Sequence, residues 1–288
     1  HPELVEDVQS AVNSDAVFAP ILGIYVMGSF GSISQTSASD LDIWICHQDD
    51  LSEQDQQRLA EKTKKISQWA STFHVEMHFY LMTQKRFRNE RYSDPLTKEN
   101  SGSAQYMLLL EEFYRSAVRL SGKPLLWLHL WVEDEKQYEA EVARLVAEGE
   151  LNPNDWVDFG GLGQFSASEY FGASLWQLYK GIDSPYKSVM KILLLETYAQ
   201  EYPNAHLIAR QFKEDLLSGR STAAHHFDPY IAILERISQY LTAHSEFKRL
   251  DFVRSCFYVK ATEDFALYLA SNWRISYMEM MAQEWGWS

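Results

Sequence analysis

Asp40 and Asp42, two aspartates separated by a single residue, are the side chains of this sequence best suited to holding a metal ion. They begin a mostly apolar segment, 41–47, whose composition predicts a β-strand. Side chains alternate between the two faces of a strand, so both carboxylates are expected to point the same way. Adjacent carboxylates repel each other unless a cation joins them, and hard oxygen ligands favour Mg²⁺. The pair therefore predicts a divalent metal site; the alternative is an ordinary turn that leads into a strand.

A glycine and a serine, Gly28 and Ser29, end another predicted strand at about 22–28. The missing Cβ lets the backbone approach a ligand, and the hydroxyl can hydrogen-bond to a phosphate oxygen. A mostly small and polar stretch, 30–39, then leads to the aspartates. The order of these features predicts a phosphate-binding bend beside the metal site.

Glu76 is the only acid in a predicted strand at 75–82. Alternate residues of this strand form an apolar face, and Glu76 lies on the other face: the apolar set is Val75, Met77, Phe79 and Leu81. By this pattern alone, Glu76 could be an exposed charge on an edge strand.

The overall charge restricts the class of substrate. A formal net charge of −14 opposes non-specific binding of nucleic acid, which requires lysine and arginine to neutralise phosphates. We therefore expect a small substrate and no nucleic-acid partner.

The sequence has no run of about 18 apolar residues, so no membrane span is predicted. The two cysteines, Cys46 and Cys256, lie far apart and suit a reducing cytoplasm better than a disulfide framework.

The pattern of elements predicts an α+β fold in two parts, 1–134 and 135–288. The first part is expected to combine strands and helices, and the second to be all-helical. Expected strands are at 22–28, 41–47, 75–82 and 124–131, and expected helices of the first part are at 53–70 and 103–120. Capping signals support several helices: Ser52 with Asp55, Gly122 as a helix C-terminus, Asn152-Pro153, Ser166 with Glu169, and Ser184-Pro185. Residues 84–100 are expected to form a surface loop.

A phosphate-binding bend needs cationic side chains nearby, and four lysines are candidates: Lys123, Lys180, Lys187 and Lys191. Lys187 lies in the first turn of a predicted helix, whose free N–H groups also attract anions. Ser184 and Tyr186 could add hydroxyl donors. A solvated helix face is the alternative for each lysine, and it is favoured for Lys191.

The sequence resembles the signature of the DNA polymerase β-like nucleotidyltransferase superfamily. That signature is an apolar residue followed by Gly-Ser, then a spacer, and then Asp-apolar-Asp. Longer, aromatic-rich segments resemble the catalytic region of the class I adenylate cyclases, the enterobacterial type, over nearly all 288 residues. These segments are 23–29, 39–48, 112–123, 169–180 and 183–187. Their length makes them more specific than the short metal motif.

The resemblance implies a polymerase β-like mixed sheet with flanking helices, followed by a helical domain. Residues 1–134 would then be a nucleotidyltransferase-like catalytic core, and the helical domain at 135–288 would complete the nucleotide cleft. It implies conversion of ATP to 3′,5′-cyclic AMP with release of pyrophosphate, in the cytoplasm. It also implies a C-terminal regulatory region linked to the glucose-specific phosphocarrier of the sugar phosphotransferase system. We expect that region, and some N-terminal sequence, to be absent from this chain.

Roles for individual residues follow from this resemblance. Two Mg²⁺ ions, or Mn²⁺ instead, would be bridged by Asp40 and Asp42, and Glu76 would ligate one of them and accept the proton of the ribose 3′-hydroxyl. Gly28 and Ser29 would hold the β- and γ-phosphates. The remaining nucleotide-binding candidates are Lys123, Lys180, Ser184, Tyr186, Lys187 and Trp44. Trp44 would shape the sugar pocket, unless it is an ordinary core tryptophan.

Two other functions fit the same residues. An adenylyltransferase would use the same metal site to pass AMP to a hydroxyl of a small molecule or a protein. A nucleotide-sensing module would bind ATP without turning it over. The presence of all three acids argues against the second alternative.

Overall fold

A computed structural model describes residues 20–37, 39–89, 106–163, 165–220, 224–263 and 272–287. The strands are β1 (Ile21–Met27), β2 (Leu41–His47), β3 (Met77–Met82) and β4 (Val118–Gly122). The helices are α1 (Glu53–Ser71), α2 (Gln84–Asn89), α3 (Tyr106–Ser116), α4 (Tyr138–Ala147), α5 (Ala167–Lys180), α6 (Pro185–Gln200), α7 (Ile208–Ser218), α8 (Pro229–Ala243), α9 (Phe247–Thr262) and α10 (Asn272–Glu284). Short 3₁₀ turns lie at Leu126–Leu128, Glu135–Gln137, Pro153–Asp155 and Ala224–Phe227.

The four strands form one mixed sheet in the order β3-β2-β1-β4. β1 is antiparallel to β2 and β4, whereas β2 and β3 are parallel and are connected by α1. The register places Met27 opposite Asp42, and Asp42 beside His78. The predicted α+β class, a mixed sheet with flanking helices followed by helices, is therefore confirmed.

The central strands β1 and β2 are covered on both faces, although the edge strand β4 is exposed. One face contributes Val26, Ile43 and Ile45 to a small core that includes Leu59 of α1. The opposite face contributes Tyr25, Met27 and Trp44 to a large core shared with the helices that follow. Asp40 and Asp42 belong to this second face by alternation, so they point towards the helical part of the chain.

The caps of two helices confirm the sequence signals. The Ser52 hydroxyl accepts a hydrogen bond from the Asp55 N–H at the start of α1, and the Ser166 hydroxyl accepts one from the Glu169 N–H at the start of α5. Each satisfies a backbone donor that lacks a partner within its helix. The Glu169 carboxylate also accepts a hydrogen bond from the Met107 N–H, which ties α5 to α3.

The predicted strand at 124–131 is wrong, and the helix predicted at 103–120 is too long. The fourth strand is β4, and α3 ends at Ser116. Gly122 does not cap a helix but ends β4, where its φ is +82°. A Cβ at this position would lie 2.4 Å from the carbonyl oxygen of Leu22, so the close approach of β4 to β1 requires glycine.

Within the predicted loop at 84–100, residues 84–89 form α2, and 90–100 lie outside the described residues.

The remainder of the described chain is helical, as the sequence predicts, with helices close to the expected positions. The exception is the helix expected at 263–283: its described part is α10, which begins at Asn272, and 264–271 lie outside the described residues. The division at 134/135 stays a prediction, although the sheet is already complete at Gly122. No helix in the described ranges has the length and apolar character needed to cross a membrane.

Candidate active site

The bend after β1 lies directly against the carboxylate of Asp42. Gly28 has a φ of +92°, a conformation that favours glycine, and turns the chain out of the sheet. A Cβ at Gly28 would lie 3.8 Å from Asp42 Oδ2. The Gly28 N–H donates a hydrogen bond to Ser116 Oγ, 3.1 Å away, which fixes the bend to the end of α3. The two predicted features, the bend and the acid pair, are therefore brought together.

Asp40 and Asp42 form the acidic side of the site, and both are half-buried. Burial and the neighbouring charge of Asp40 raise the pKa of Asp42 to about 6. The hydroxyl of Tyr80 donates a hydrogen bond to Asp42 Oδ1 over 3.3 Å. A crowded pair of carboxylates with a raised pKa is the environment in which a bound cation relieves repulsion, so these residues fit a divalent metal.

Glu76 lies on the same side of the sheet as the acid pair but does not join it. The Leu41 N–H donates to the Glu76 carbonyl over 2.9 Å, so Glu76 stands beside Asp40 in the parallel register of β2 and β3. Its side chain is 72% exposed and lies 3.1 Å from His78 Nε2. Among the described residues, no group of three or more His, Cys, Asp or Glu side chains is assembled to hold a metal. The role of Glu76 as third ligand stays a prediction.

Lys187 faces the acid pair from the first turn of α6. Its Nζ lies 3.4 Å from Ser29 Oγ and 5.9 Å from the ring centre of Tyr230. Burial and the positive charges of Lys260 and Lys191 lower the pKa of Lys187 to about 8. The predicted pairing of Lys187 with the Gly28-Ser29 bend is supported by this contact.

Lys191, one helical turn further along α6, is held by an acid that the sequence analysis did not select. Its Nζ lies 2.6 Å from Glu112 Oε1 on α3. Burial opposes charge on both groups, but their mutual attraction prevails: the pKa of Glu112 is lowered and that of Lys191 is raised. Both act electrostatically on Asp42, so they belong to the site. The available signal was the position of Glu112 at the start of the segment 112–123 that resembles the cyclases.

Lys260, near the end of α9, is a third lysine at the site and was not predicted. Its Nζ lies 3.4 Å from Thr36 Oγ1 in the loop after β1, and it also forms an ion pair with Glu263. Its charge contributes to the lowered pKa of Lys187. No local sequence pattern marks this residue, because more than 200 positions separate it from Thr36.

We call Asp40, Asp42, Lys187, Lys191 and Lys260 the carboxylate–lysine cleft. Asp40, just before β2, and Asp42 on β2 act electrostatically on Lys187 of α6, and so do Lys191 and Lys260. Lys187 Nζ also lies 3.4 Å from the hydroxyl of Ser29, a buried residue. A partly buried arrangement of this kind can hold a polyphosphate, because the lysines attract its oxygens and a cation bound by the acids can bridge to it.

The placement predicted for Lys123 is wrong. Its N–H donates to the carbonyl of Leu22 at the start of β1, 2.8 Å away, and its carbonyl accepts a hydrogen bond from the Tyr25 hydroxyl. The five residue-to-residue steps from Leu22 to Met27 span roughly 17 Å of strand. Lys123 therefore lies at the opposite end of the sheet from Asp42.

Trp44 is a core residue and does not line the cleft. Its side chain is only 3% exposed and stacks on Phe113 of α3, with 4.1 Å between ring centres. Phe87 and Phe159 contact the same ring. Trp44 shares a strand face with Asp42, as predicted, but α3 covers that face at the position of the tryptophan. The alternative that the sequence left open is the one observed.

The remaining candidates lie at the junction of α5 and α6. Lys180 Nζ is 5.6 Å from the ring centre of Trp176. Ser184 is exposed and precedes Lys187 by about one turn, so it lies on the same side of the helix. The side chain of Tyr186 is also exposed. Nucleotide binding by these three residues stays a prediction.

Two family models match this chain. The adenylate cyclase NT domain matches residues 3–128, and the second domain of class-I adenylate cyclase matches residues 165–288. The chain belongs to the class I adenylate cyclase family. Both matches agree with the resemblance described from the sequence.

Curated relatives named adenylate cyclase are similar over nearly the whole chain. The Haemophilus influenzae protein is 75% identical over 98% of this chain, and the Pasteurella multocida protein is 63% identical over 93%. The Escherichia coli K12 protein is 48% identical over 93% of this chain. The aligned regions are 33%, 32% and 32% of those three proteins, so the chain spans about a third of their length.

One solved structure, spectinomycin adenyltransferase AAD(9) from Enterococcus faecialis with ATP and spectinomycin, aligns with a TM-score of 0.36 and 13% identity. The alignment covers 88% of this chain and 98% of that one. A likeness this distant carries no argument about the function of this protein.

Proposed function

We propose that this chain is the catalytic region of an adenylate cyclase, which converts ATP to 3′,5′-cyclic AMP and pyrophosphate. The observation that carries the proposal is the carboxylate–lysine cleft, where a crowded acid pair faces three lysines across the Gly28-Ser29 bend. Membership of the class I adenylate cyclase family supports it. The chain corresponds to about a third of its relatives, so the activity of this region is itself the hypothesis under test.

Asp40 and Asp42 would hold the metal, as two Mg²⁺ ions or as Mn²⁺, with Glu76 as an additional ligand. When bound, such ions lower the pKa of a nearby hydroxyl and neutralise charge on the departing pyrophosphate. The raised pKa of Asp42 reflects, first, the burial of its carboxylate and, second, the repulsion from Asp40.

The lysine side of the cleft would bind the triphosphate. Ser29 and Lys187, already within 3.4 Å of each other, are placed to meet one phosphate group together. Lys260 would extend the positive surface along the loop after β1. Lys191 is already neutralised by Glu112, so we assign it to orienting the cleft rather than to contacting phosphate. Partly buried lysines interact with phosphate more strongly than lysines surrounded by water.

Cyclisation requires the 3′-oxygen of the ribose to attack the α-phosphorus of the same molecule while pyrophosphate leaves in line. No second substrate needs to be bound, so the contribution of the protein is to fix one conformation of ATP. Glu76 is the proposed acceptor of the hydroxyl proton. Its exposed position leaves it accessible to the ribose from the β3 side of Asp40.

The purified chain should form cyclic AMP and pyrophosphate in equal amounts when incubated with ATP and Mg²⁺ alone. Chromatographic separation of the products would show this directly. An adenylyltransferase would release little product until a hydroxyl acceptor was added, and a nucleotide sensor would bind ATP and leave it intact. Either result would refute cyclase activity in this region.

The cellular setting follows from the family resemblance. We propose that the reaction takes place in the cytoplasm, and that regulation through the phosphocarrier of the sugar phosphotransferase system acts on regions of the full-length relatives beyond this chain. Co-purification of the phosphocarrier with the full-length protein, but not with this chain, would support that assignment.

A further inference from the structure

The loop that carries Ser29 is held from outside by the helical part of the chain. Ile33, in the middle of this loop, is completely buried. Its N–H donates a hydrogen bond to Asp228 Oδ2 over 2.6 Å, and its carbonyl accepts one from Arg274 Nη2 over 2.7 Å. Both backbone polar groups of Ile33 are therefore satisfied by side chains that lie 195 and 241 positions away in the sequence.

Asp228 connects this loop to the start of α8. Its second oxygen, Oδ1, accepts hydrogen bonds from the N–H groups of Tyr230 and Ile231, at 2.9 and 3.1 Å. One buried carboxylate thus caps a helix and holds the Ile33 backbone. The helix cannot move relative to the loop without breaking a hydrogen bond to an ionised group, which is among the stronger kinds in proteins.

Arg274 makes an equivalent connection from α10. It donates to the Ala261 carbonyl at the end of α9, over 3.1 Å, as well as to Ile33. Its side chain is buried. The backbone of Ile33 is therefore fixed to the ends or starts of three helices, α8, α9 and α10.

The position of Ile33 influences that of Ser29 through Ser32, the residue that precedes Ile33. The N–H and the hydroxyl of Ser32 both donate to the Ser29 carbonyl, at 3.0 and 2.7 Å. The loop is thus a tight turn with few independent degrees of freedom, and displacing Ile33 displaces Ser29. Ser29 Oγ is the group that meets Lys187.

We propose that Asp228 and Arg274 are positioning residues for nucleotide binding, which hold the Ile33 backbone so that Ser29 and Lys187 meet the same phosphate. This inference rests on the proposed function, because it assumes that the cleft binds a nucleotide. It assigns the helical part a second task besides completing the cleft: it sets the shape of the phosphate-binding loop. A merely structural clamp would contribute to stability without affecting nucleotide affinity.

The variant Asp228→Ser separates the two contacts of this carboxylate. Serine is a good helix cap, so α8 retains its first hydrogen bonds, but the side chain is too short to reach Ile33. We expect the KM for ATP to rise on the order of tenfold. The variant loses the charge-assisted hydrogen bond between Asp228 and the Ile33 N–H, which does not contact the ligand directly. Hydrogen exchange measured by mass spectrometry should become faster in peptides covering 28–37 and stay unchanged in those covering β2.

The matched control is Ser52→Ala, which removes the side-chain cap of α1 and does not alter the loop after β1. It should lower thermal stability slightly and leave both the KM for ATP and loop exchange at wild-type values. Arg274→Lys provides a second, independent variant, because lysine keeps the charge but offers a single donor group where arginine offers a fork. It should raise the KM in the same direction by severalfold.

Two results would overturn the proposal. Unchanged exchange at 28–37 in Asp228→Ser would show that the carboxylate does not hold the loop. Faster exchange with a KM within about twofold of wild type would show that the clamp has no influence on nucleotide binding. If Asp228→Ser does not fold, the same criteria apply to Arg274→Lys. If the wild-type chain makes no cyclic AMP, the proposed function fails separately, and exchange together with the affinity for a non-hydrolysable ATP analogue still decides the question.

Discussion

The two sides of the carboxylate–lysine cleft are built in different ways. The acidic side comes from one short segment, in which Asp40 and Asp42 share a strand face and the Gly28-Ser29 bend lies on the neighbouring strand. The lysine side comes from two helices, α6 and α9, separated from the acid pair by more than 140 positions. Local periodicity fixes the first side, whereas the second exists only after the helices pack on the sheet. This difference predicts that the sides fail differently when altered.

Asp42→Asn should have the largest effect, a loss of activity of about a thousandfold or more, because the acid pair supports the stabilisation of transition-state charge. The initial rate of cyclic AMP formation at saturating ATP and Mg²⁺ measures this. Asp50→Asn, in the exposed turn after the same strand, is the control and should retain wild-type activity.

The same Asp42→Asn variant should unfold at a higher temperature than wild type when no divalent cation is present. Burial and repulsion from Asp40 both raise the pKa of Asp42, and removing its charge relieves both. Calorimetry in the presence of a chelator tests this. A lower melting temperature would mean that the carboxylate contributes more through Tyr80 than it costs through Asp40.

Lys187→Met should have the next largest effect, a reduction in kcat/KM of about a hundredfold that falls mainly on the KM for ATP. Lys123→Met is the matched variant, because both lysines were predicted from sequence to bind phosphate, yet Lys123 lies at the far end of β1. It should stay within about twofold of wild type. Equal losses in the two variants would contradict the placement of the cleft.

The outcome for these two lysines shows what the sequence could and could not predict. Strands β1, β2 and β3 and helix α1 follow from alternation and capping, which are local properties. Strand β4 was missed because it is only five residues long and follows directly on α3, so the alternation of Val118 and Leu120 with polar residues was too short to separate it from the helix predicted at 103–120. Without that strand, the position of Lys123 at the end of β4 was not apparent.

The case of Trp44 shows a similar limit. Alternation correctly predicted that it shares a face with Asp42, but it could not show how far along that face the neighbouring helix extends. Two residues of strand, roughly 7 Å, separate an accessible carboxylate from a tryptophan stacked under Phe113. Lys260 and Glu112 were missed for the same reason, since their roles depend on packing between distant segments.

Glu76→Gln should have an intermediate effect, a loss of about tenfold in kcat, because an exposed carboxylate is less firmly held than the acid pair. Activity as a function of Mg²⁺ concentration measures it, and Glu61→Gln on the exposed side of α1 is the control. A loss as large as that of Asp42→Asn would show that Glu76 contributes as much to activity as the acid pair does. The acidic side would then consist of three residues from two strands.

The smallest expected effect is a dependence of ATP affinity on pH, which belongs to the lysine side alone. Lys187 has a pKa lowered to about 8, so in the free protein it loses its charge as the pH rises through that value. Phosphate binds the protonated form, so binding must then take up a proton. The dissociation constant for a non-hydrolysable ATP analogue should rise between pH 7.5 and 9 by about fivefold to tenfold.

Titration calorimetry at fixed Mg²⁺ measures this dependence without contributions from the chemical step. Lys187→Arg is the matched variant, because a guanidinium stays protonated over this range, and its dissociation constant should be nearly independent of pH. Lys260, Lys191, Asp40 and Asp42 all act electrostatically on Lys187 and remain in the variant. A dissociation constant that still depends on pH in Lys187→Arg would assign the titration to one of these neighbours. The pH dependence of ATP binding would then arise from several interacting charged groups and not from Lys187 alone.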